Sequence, residues 1–266
     1  MQLNFQIFGE SGQALVIVHG LFGSLSNWRA VARDLSQTYQ VYVIDQRNHG
    51  DSPQADSMTY QDMANDLNEF ISTQGLKNYI LCGHSMGGKA AMHFALSDFE
   101  SVQLLNSLII LDIAPEAYTH SHEEYLSALH ALDMSLFHSR AEVDQALKSV
   151  IPDTATRLFL LQSLTRKDDQ FSWKINIPVL REYMSDIVGF AHAELEKNSN
   201  VIATLFLSGS ASDYVQPYMH GRIQSYFPNA SFASVDAGHW LHVEQRDEML
   251  FKMRQFLSIR QLNSDL

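Results

Sequence analysis

Residues 78–91 read Asn78-Tyr79-Ile80-Leu81-Cys82-Gly83-His84-Ser85-Met86-Gly87-Gly88-Lys89-Ala90-Ala91. Tyr79 to Cys82 is apolar and suits a buried strand, and the residues after Gly88 favour helix. Gly83-His84-Ser85-Met86-Gly87 must therefore turn the chain from strand to helix within a few residues. A turn that tight strains the backbone of Ser85 and lifts its hydroxyl above the sheet edge. Gly83 and Gly87 are needed because a Cβ at either place would collide with the neighbouring strand or helix, and Gly88 extends the same close packing. The first N–H groups of the following helix aim at the same spot. A G-x-S-x-G occurs often by chance, but one set between a strand and a helix seldom does, and Ser85 becomes the candidate nucleophile.

Outward from this turn the chain alternates strand and helix. Leu3, Phe5 and Ile7 alternate as in an edge strand. Ala14 to Val18 is a continuous apolar run, as expected of a strand buried on both faces of a parallel sheet. The loop His19-Gly20-Leu21-Phe22-Gly23-Ser24 closes it, and a helix follows with Trp28, Val31 and Leu35 on one face. Gln40 to Ile44 is the next strand, ending in Asp45-Gln46-Arg47-Asn48-His49-Gly50-Asp51-Ser52-Pro53. Thr59 and Asp62 form a capping box for a helix carrying Met63, Leu67, Phe70 and Ile71, which Gly75 stops. Strand, helix, strand, helix, strand, helix means a parallel sheet with crossover helices. Leu108 to Leu111 is a further strand, closed by Asp112-Ile113-Ala114-Pro115.

The alternation lapses from Glu116 to Lys197, a segment of helical character (Tyr125, Leu126, Leu129, Leu132; Val143, Leu147, Val150). Inserted between sheet strands, it is expected to cap their carboxyl edge. The division expected is thus a core of residues 1–115 and 198–266 with an inserted helical cap, 116–197. Ile202 to Leu207 restores the sheet and Gly209-Ser210-Ala211-Ser212-Asp213 follows it. A helix near Tyr214–Phe227, a strand at Ser231–Val235, Gly238-His239-Trp240 and a last helix with Leu250, Met253, Phe256 and Leu257 complete the chain.

With 266 residues the chain suits one domain with an insertion, and at 45% hydrophobic and 18% charged it has the composition of an ordinary globular protein. No apolar run approaches the ~20 residues that span a bilayer. The first residues lack a basic segment followed by a long apolar one, so no signal peptide is expected and the cytoplasm is the default location. A net charge of −12 disfavours nucleic acid and other polyanions. Cys82 is the single cysteine. It rules out an internal disulfide and fits a buried strand position better than a catalytic thiol. The histidines show no H-E-x-x-H or similar ligand spacing, so no metal is expected, and no motif calls for a cofactor.

In an open parallel sheet, ligands bind outside the carboxyl ends of the strands. The Leu21 loop, Asp45, Ser85, Asp112, Asp213 and His239 all fall at such ends. A serine hydroxyl needs an adjacent base. His239 supplies it, because Gly238 lets a tight loop project the imidazole over the sheet edge. Two aspartates compete as the acid that orients it. Asp213 follows the strand before the histidine strand, and Asp112 follows the strand after the Ser85 turn. The negative charge that develops on an attacked carbonyl oxygen needs two N–H donors, each worth roughly 2.7–4 kcal/mol. Met86, after the nucleophile, offers one and Leu21 the other, Gly20 letting the chain turn the Leu21 amide inward. Phe22, Tyr118, Trp173 and Trp240 are candidates to line an acyl pocket. Arg47 and Asn48 are expected to fix a turn with Asp45 as partner, and Lys89 to be a helix-surface or loop-tethering residue.

His-Gly-Leu-Phe-Gly-Ser, Asp-Gln-Arg-Asn-His-Gly-Asp-Ser, Gly-His-Ser-Met-Gly-Gly-Lys, Leu-Asp-Ile-Ala-Pro and Gly-His-Trp together resemble the α/β-hydrolase superfamily. More narrowly, the chain resembles small bacterial acyl esterases of the YbfF type, over nearly its whole length and least in the cap. The resemblance implies an α/β-hydrolase fold and a cofactor-free carboxylesterase or acyl thioesterase with Ser85, His239 and an acid. In that subgroup the acid comes from the Leu-Asp-Ile-Ala-Pro motif, which points to Asp112, and a serine before the Tyr-Val pair assists. Here that stretch reads Ser212-Asp213-Tyr214-Val215, so Asp213 is carried as the alternative or supporting acid. The same scaffold also serves carbon–carbon bond hydrolysis, lyase and perhydrolase chemistry, and non-catalytic ligand receptors; these are the rivals. An elbow aspartate, as in a dehalogenase, is absent.

Overall fold

The computed structural model describes residues 1–119, 121–190 and 199–264. Its strands are β1 (Phe5–Phe8), β2 (Gln13–Val18), β3 (Tyr39–Ile44), β4 (Tyr79–His84), β5 (Leu105–Leu111), β6 (Leu164–Lys167), β7 (Gln170–Trp173), β8 (Ala203–Gly209) and β9 (Ala230–Val235). Among the described residues a seven-stranded sheet runs β1-β3-β2-β4-β5-β8-β9, with β6 and β7 pairing separately as a hairpin. The edge strand β1 is antiparallel to β3, and every other pairing in the large sheet is parallel. This is the α/β-hydrolase fold the motifs led one to expect.

Two apolar cores follow from the two-residue period of the strands. Val16, Val18, Leu81, Leu108 and Ile110 point into one core, shared with Met63, Leu67 and Phe70 of α2 (Tyr60–Thr73) and with α3 (Met86–Ala95). Leu15, Ile17, Ile80, Cys82, Ile109 and Leu111 point into the other. There they meet Val31 and Leu35 of α1 (Arg29–Leu35) and Met249, Met253 and Leu257 near the C-terminus. Truncating any of these to alanine is expected to cost about 2–5 kcal/mol, the usual range for a filled core position. All of α3 is buried, which accounts for its Ala90-Ala91-Met92 and Phe94-Ala95 runs.

After β3 the chain crosses over β2 to reach β4 and then grows away in the other direction. That reversal opens a crevice at the carboxyl ends of β2 and β4, where the loop after His19 meets Ser85. Thr59 and Asp62 form the expected capping box of α2.

The structure departs from expectation in two segments. No α-helix covers Tyr214–Phe227 as a whole: a 3-10 turn at Pro217–Met219 leads into a short helix, His220–Tyr226. Pro217 has no N–H and sets the helix start there, leaving Tyr214 outside it. The inserted segment also contains the β6–β7 hairpin besides its helices. Its turn residues Asp168 and Asp169 take left-handed φ of 48° and 62°. Asp-Asp is a weaker turn signal than Asn-Gly, so the alternation of Phe171 and Trp173 was the only cue.

Several polar contacts tie the inserted segment to α2 and to the loop after β3. Tyr60 Oη donates to the Ile187 carbonyl at 2.6 Å and Asn176 N–H to the Asn48 carbonyl at 3.0 Å. Lys174 pairs with Asp51 at 2.7 Å. The expected end of the cap at Lys197 lies outside the described residues. Among the described residues no helix is long and apolar enough to cross a membrane.

Candidate active site

Ser85 has φ 52° and ψ −123°, a conformation few side chains adopt, held by its N–H to the Leu111 carbonyl at 3.0 Å. A Cβ on Gly87 would stand 2.4 Å from the His19 carbonyl oxygen, and one on Gly83 would stand 2.3 Å from that of Gly87. The turn thus closes only with glycine at both places. Phe22 (φ 63°) and Asp112 (φ 50°) are left-handed as well. Such residues cost of order 1–3 kcal/mol each, and here they gather around one point.

His239 reaches Ser85 from the loop after β9. Its Nε2 accepts from the Ser85 hydroxyl at 3.0 Å, and its Nδ1 donates to Asp112 Oδ2 at 2.7 Å. Asp112 is fully buried. Its other donors are the Ser212 hydroxyl, at 2.5 Å to Oδ2, and the Gly209 N–H, at 2.9 Å to Oδ1. Of the two candidate acids, the structure brings Asp112 to the imidazole, whereas Asp213 is exposed. The neighbouring Tyr214, which the sequence did not single out, stacks on the His239 ring with centroids 4.1 Å apart.

Met86 opens α3, so its N–H is one of those with no acceptor inside the helix. The loop carrying Leu21 abuts the serine: a Cβ on Gly20 would stand 3.0 Å from Ser85 Cβ. A side chain on Gly20 would crowd both Ser85 and His84. The left-handed residue of this loop is Phe22, whose N–H donates to His49 Nε2 at 3.2 Å.

Buried histidines frame the site and were not legible as a group. His84 Nε2 donates to the His239 carbonyl at 2.9 Å. Burial and the neighbouring His239 and His242 hold His84 well below the usual histidine range. His19 accepts the Gln46 N–H on Nε2 at 3.0 Å, so Nδ1 carries the proton and donates to the Gly20 carbonyl at 2.8 Å. Burial pulls His242 down to about 4, and its ring stacks on Trp28 with centroids 4.4 Å apart.

Arg47 and Asp45 turn out not to be partners. Arg47 forms a bidentate pair with Asp66 of α2, at 2.6 and 2.9 Å. Asp45 accepts from the N–H groups of Leu25 at 2.7 Å and Asp51 at 2.9 Å, and so organises its own loop. Asn48 ties the Asn176 side chain and the Ala55 N–H to its Oδ1. Lys89 is buried, so it is a tether and not a surface residue: its ammonium donates to the carbonyls of Val188 at 2.8 Å and Gly189 at 2.6 Å.

Two cavities meet at Ser85. The larger, about 190 Å³, is lined by Phe22, Trp28, Phe159, Leu160, His239 and Trp240 among others. The smaller, about 30 Å³, is lined by Met86, Lys89, Ile113, Tyr118, Ile187 and Val188 among others. Leu21, Ser85, His122 and Tyr214 border both. Phe22 and Trp240, candidates to line an acyl pocket, border the larger cavity. Tyr118 walls the smaller space, and Trp173 borders neither, packing against the core below. Among the described residues no cluster of His, Cys, Asp and Glu has the makings of a metal site.

A strained serine at a strand-to-helix turn, a histidine on its hydroxyl and a buried carboxylate behind the histidine define the class of hydrolases built on this sheet. Residues 13–245 match the family model described as alpha/beta hydrolase fold, and the chain belongs to that family. It is 34% identical over 251 residues to the esterase YbfF of Escherichia coli strain K12, covering 94% of each chain. It is 35% identical over 254 residues to the mouse sn-1-specific diacylglycerol lipase ABHD11, covering 92% of this chain and 81% of that one. Among solved structures, a marine microorganism esterase superposes with a TM-score of 0.90 at 38% identity, over 96% of this chain and 99% of that one. The resemblance to bacterial esterases of the YbfF type is therefore borne out, and the protein is an enzyme that hydrolyses ester bonds.

Proposed function

We propose that the protein is a serine carboxylesterase acting on small or medium acyl esters, with acyl thioesters open to the same chemistry. The reading rests on the unbroken relay from Asp112 through His239 to Ser85, at 2.7 and 3.0 Å. Ser85 Oγ attacks the ester carbonyl while its proton passes to His239 Nε2. The charge on the carbonyl oxygen is met by the N–H groups of Leu21 and Met86. His239 then gives the proton to the departing alcohol oxygen as the carbon–oxygen bond breaks. Water adds to the acyl-enzyme by the same steps in reverse, losing a proton to His239, which returns it to Ser85 Oγ as the acid leaves. Asp112 holds the imidazole in the tautomer with the proton on Nδ1 and stabilises it when it charges. The described part of the inserted segment, up to Phe190, serves as a cap over this centre. No step calls for a cofactor, and the reading includes a cytoplasmic location.

The test is hydrolysis of p-nitrophenyl esters from acetyl to decanoyl by the enzyme and by Ser85→Ala. Turnover that disappears in the variant, with fluorophosphonate labelling confined to Ser85, supports the reading. Normal hydrolysis by Ser85→Ala would overturn it. Tight binding of a ligand without turnover would instead favour a receptor.

A further inference from the structure

We infer that the enzyme is selective for short-acyl esters of bulky apolar alcohols: the small cavity receives the acyl chain and the large one the alcohol. This rests on the serine-esterase reading above and narrows it. The assignment comes from where the proton must go. His239 has to protonate the departing oxygen and later activate water from the same side. Among the described residues it borders the 190 Å³ chamber and not the 30 Å³ one. The alcohol therefore occupies the larger space, and its departure clears the path for water. With the oxygen turned to the Leu21 and Met86 N–H groups, the acyl substituent is left the compartment beside Met86.

That compartment is small and stiff. A water needs roughly 10–15 Å³ of such space, so about 30 Å³ admits one or two non-hydrogen atoms beyond the carbonyl, an acetyl or a propionyl chain. Its walls are fixed by polar contacts to the backbone. Lys89 holds the Val188 and Gly189 carbonyls, Tyr60 that of Ile187, and the Tyr118 hydroxyl that of Tyr214 at 2.6 Å. Widening the space means moving hydrogen-bonded groups out of buried positions, which is costly. The larger chamber, about 190 Å³, exceeds the ~150 Å³ cavity known to hold benzene, and it carries aromatic walls at Phe22, Trp28, Phe159 and Trp240.

Two kcat/KM series test this: p-nitrophenyl esters of increasing acyl length, and acetate esters of alcohols from methyl to benzyl and phenethyl. In the wild type each methylene beyond propionyl is expected to cost about tenfold, the usual discrimination of a close pocket, while larger alcohols gain. Ile187→Ala is expected to move the acyl optimum to butyryl or longer without reordering the alcohols. Phe159→Ala is expected to reorder the alcohols without moving the acyl optimum. A wild type that prefers octanoyl or decanoyl to acetyl would overturn the inference and leave the esterase intact, as would Phe159→Ala changing acyl preference instead. Failure to cleave any ester, with Ser85 unlabelled by fluorophosphonate, would remove the esterase reading and this inference together.

Discussion

His84 donates its Nε2–H to the backbone carbonyl of His239 at 2.9 Å. The residue before the serine thus fixes the loop that carries His239, the proposed base, and burial keeps the His84 imidazole neutral. A neutral hydrogen bond of this kind is worth about 1 kcal/mol, and a misplaced base costs rate more readily than binding. His84→Leu is expected to lower kcat roughly tenfold with KM little changed, and His84→Gln to recover part of it. Steady-state kinetics of the two variants decide the point, and equal loss in KM would count against a positioning role.

The two aspartates should separate cleanly. Asp112→Asn is expected to lower kcat by about 10⁴, the scale seen when the orienting carboxylate of a serine triad is neutralised. Asp213→Asn, at an exposed position, is expected to stay within about twofold. Ser212→Ala removes one donor to Asp112 Oδ2 and is expected to fall between them, by roughly ten- to a hundredfold. A large loss in Asp213→Asn would reverse the assignment.

How much of this was legible in the sequence depended on how locally each feature is encoded. The strand-to-helix turn at Ser85 is written in adjacent residues, because only glycine fits at Gly83 and Gly87. The sheet was legible for a similar reason: apolar runs such as Leu15–Val18 have no other use. The choice between Asp112 and Asp213 was open from the residues alone, since both follow a strand and only three-dimensional placement brings one carboxylate to Nδ1. Arg47 pairing with Asp66, and Lys89 reaching Val188, are contacts between distant segments that no local pattern announces. Tyr214 over His239 depends on where Pro217 starts the helix, a boundary effect.

Arg47 offers a contrast with the reacting groups. Its guanidinium and the Asp66 carboxylate are 8% and 3% exposed, so removing Arg47 leaves the buried Asp66 with only the Met1 ammonium, at 2.9 Å, as a charged partner. Arg47→Ala is expected to destabilise the fold, by less than the ~3–5 kcal/mol of a fully uncompensated buried charge because the Met1 ammonium remains, with kcat of the folded fraction unchanged. Denaturant unfolding beside ester kinetics reads both quantities, and a selective kcat loss would point to a role in substrate handling.

Acid stability follows from the histidines. Burial lowers His19 and His84, and takes His49 down to about 3 and His242 to about 4. In the unfolded chain these groups titrate near 6.5. Between those values the unfolded state holds more protons, so stability falls as pH drops from about 6.5 towards 4 and is unaffected by them above that window. His242→Phe keeps a ring against Trp28 and removes a buried Nδ1 that has no hydrogen-bond partner among the described residues. It is expected to flatten the fall of Tm below pH 6.5. A variant with the wild-type slope would mean that His242 does not contribute.

The Lys89 ammonium is the residue through which the helix behind the serine grips the Val188–Gly189 backbone. Val188 and Gly189 are thereby coupled to that helix, since separating them would leave the buried Lys89 amine without its acceptors. Turnover is therefore expected not to jump when a droplet or micelle surface is offered, which assays of one ester below and above its solubility limit check. If the proposed cap is held in this way, the enzyme gives up the reach of a swinging lid for an entrance of constant width.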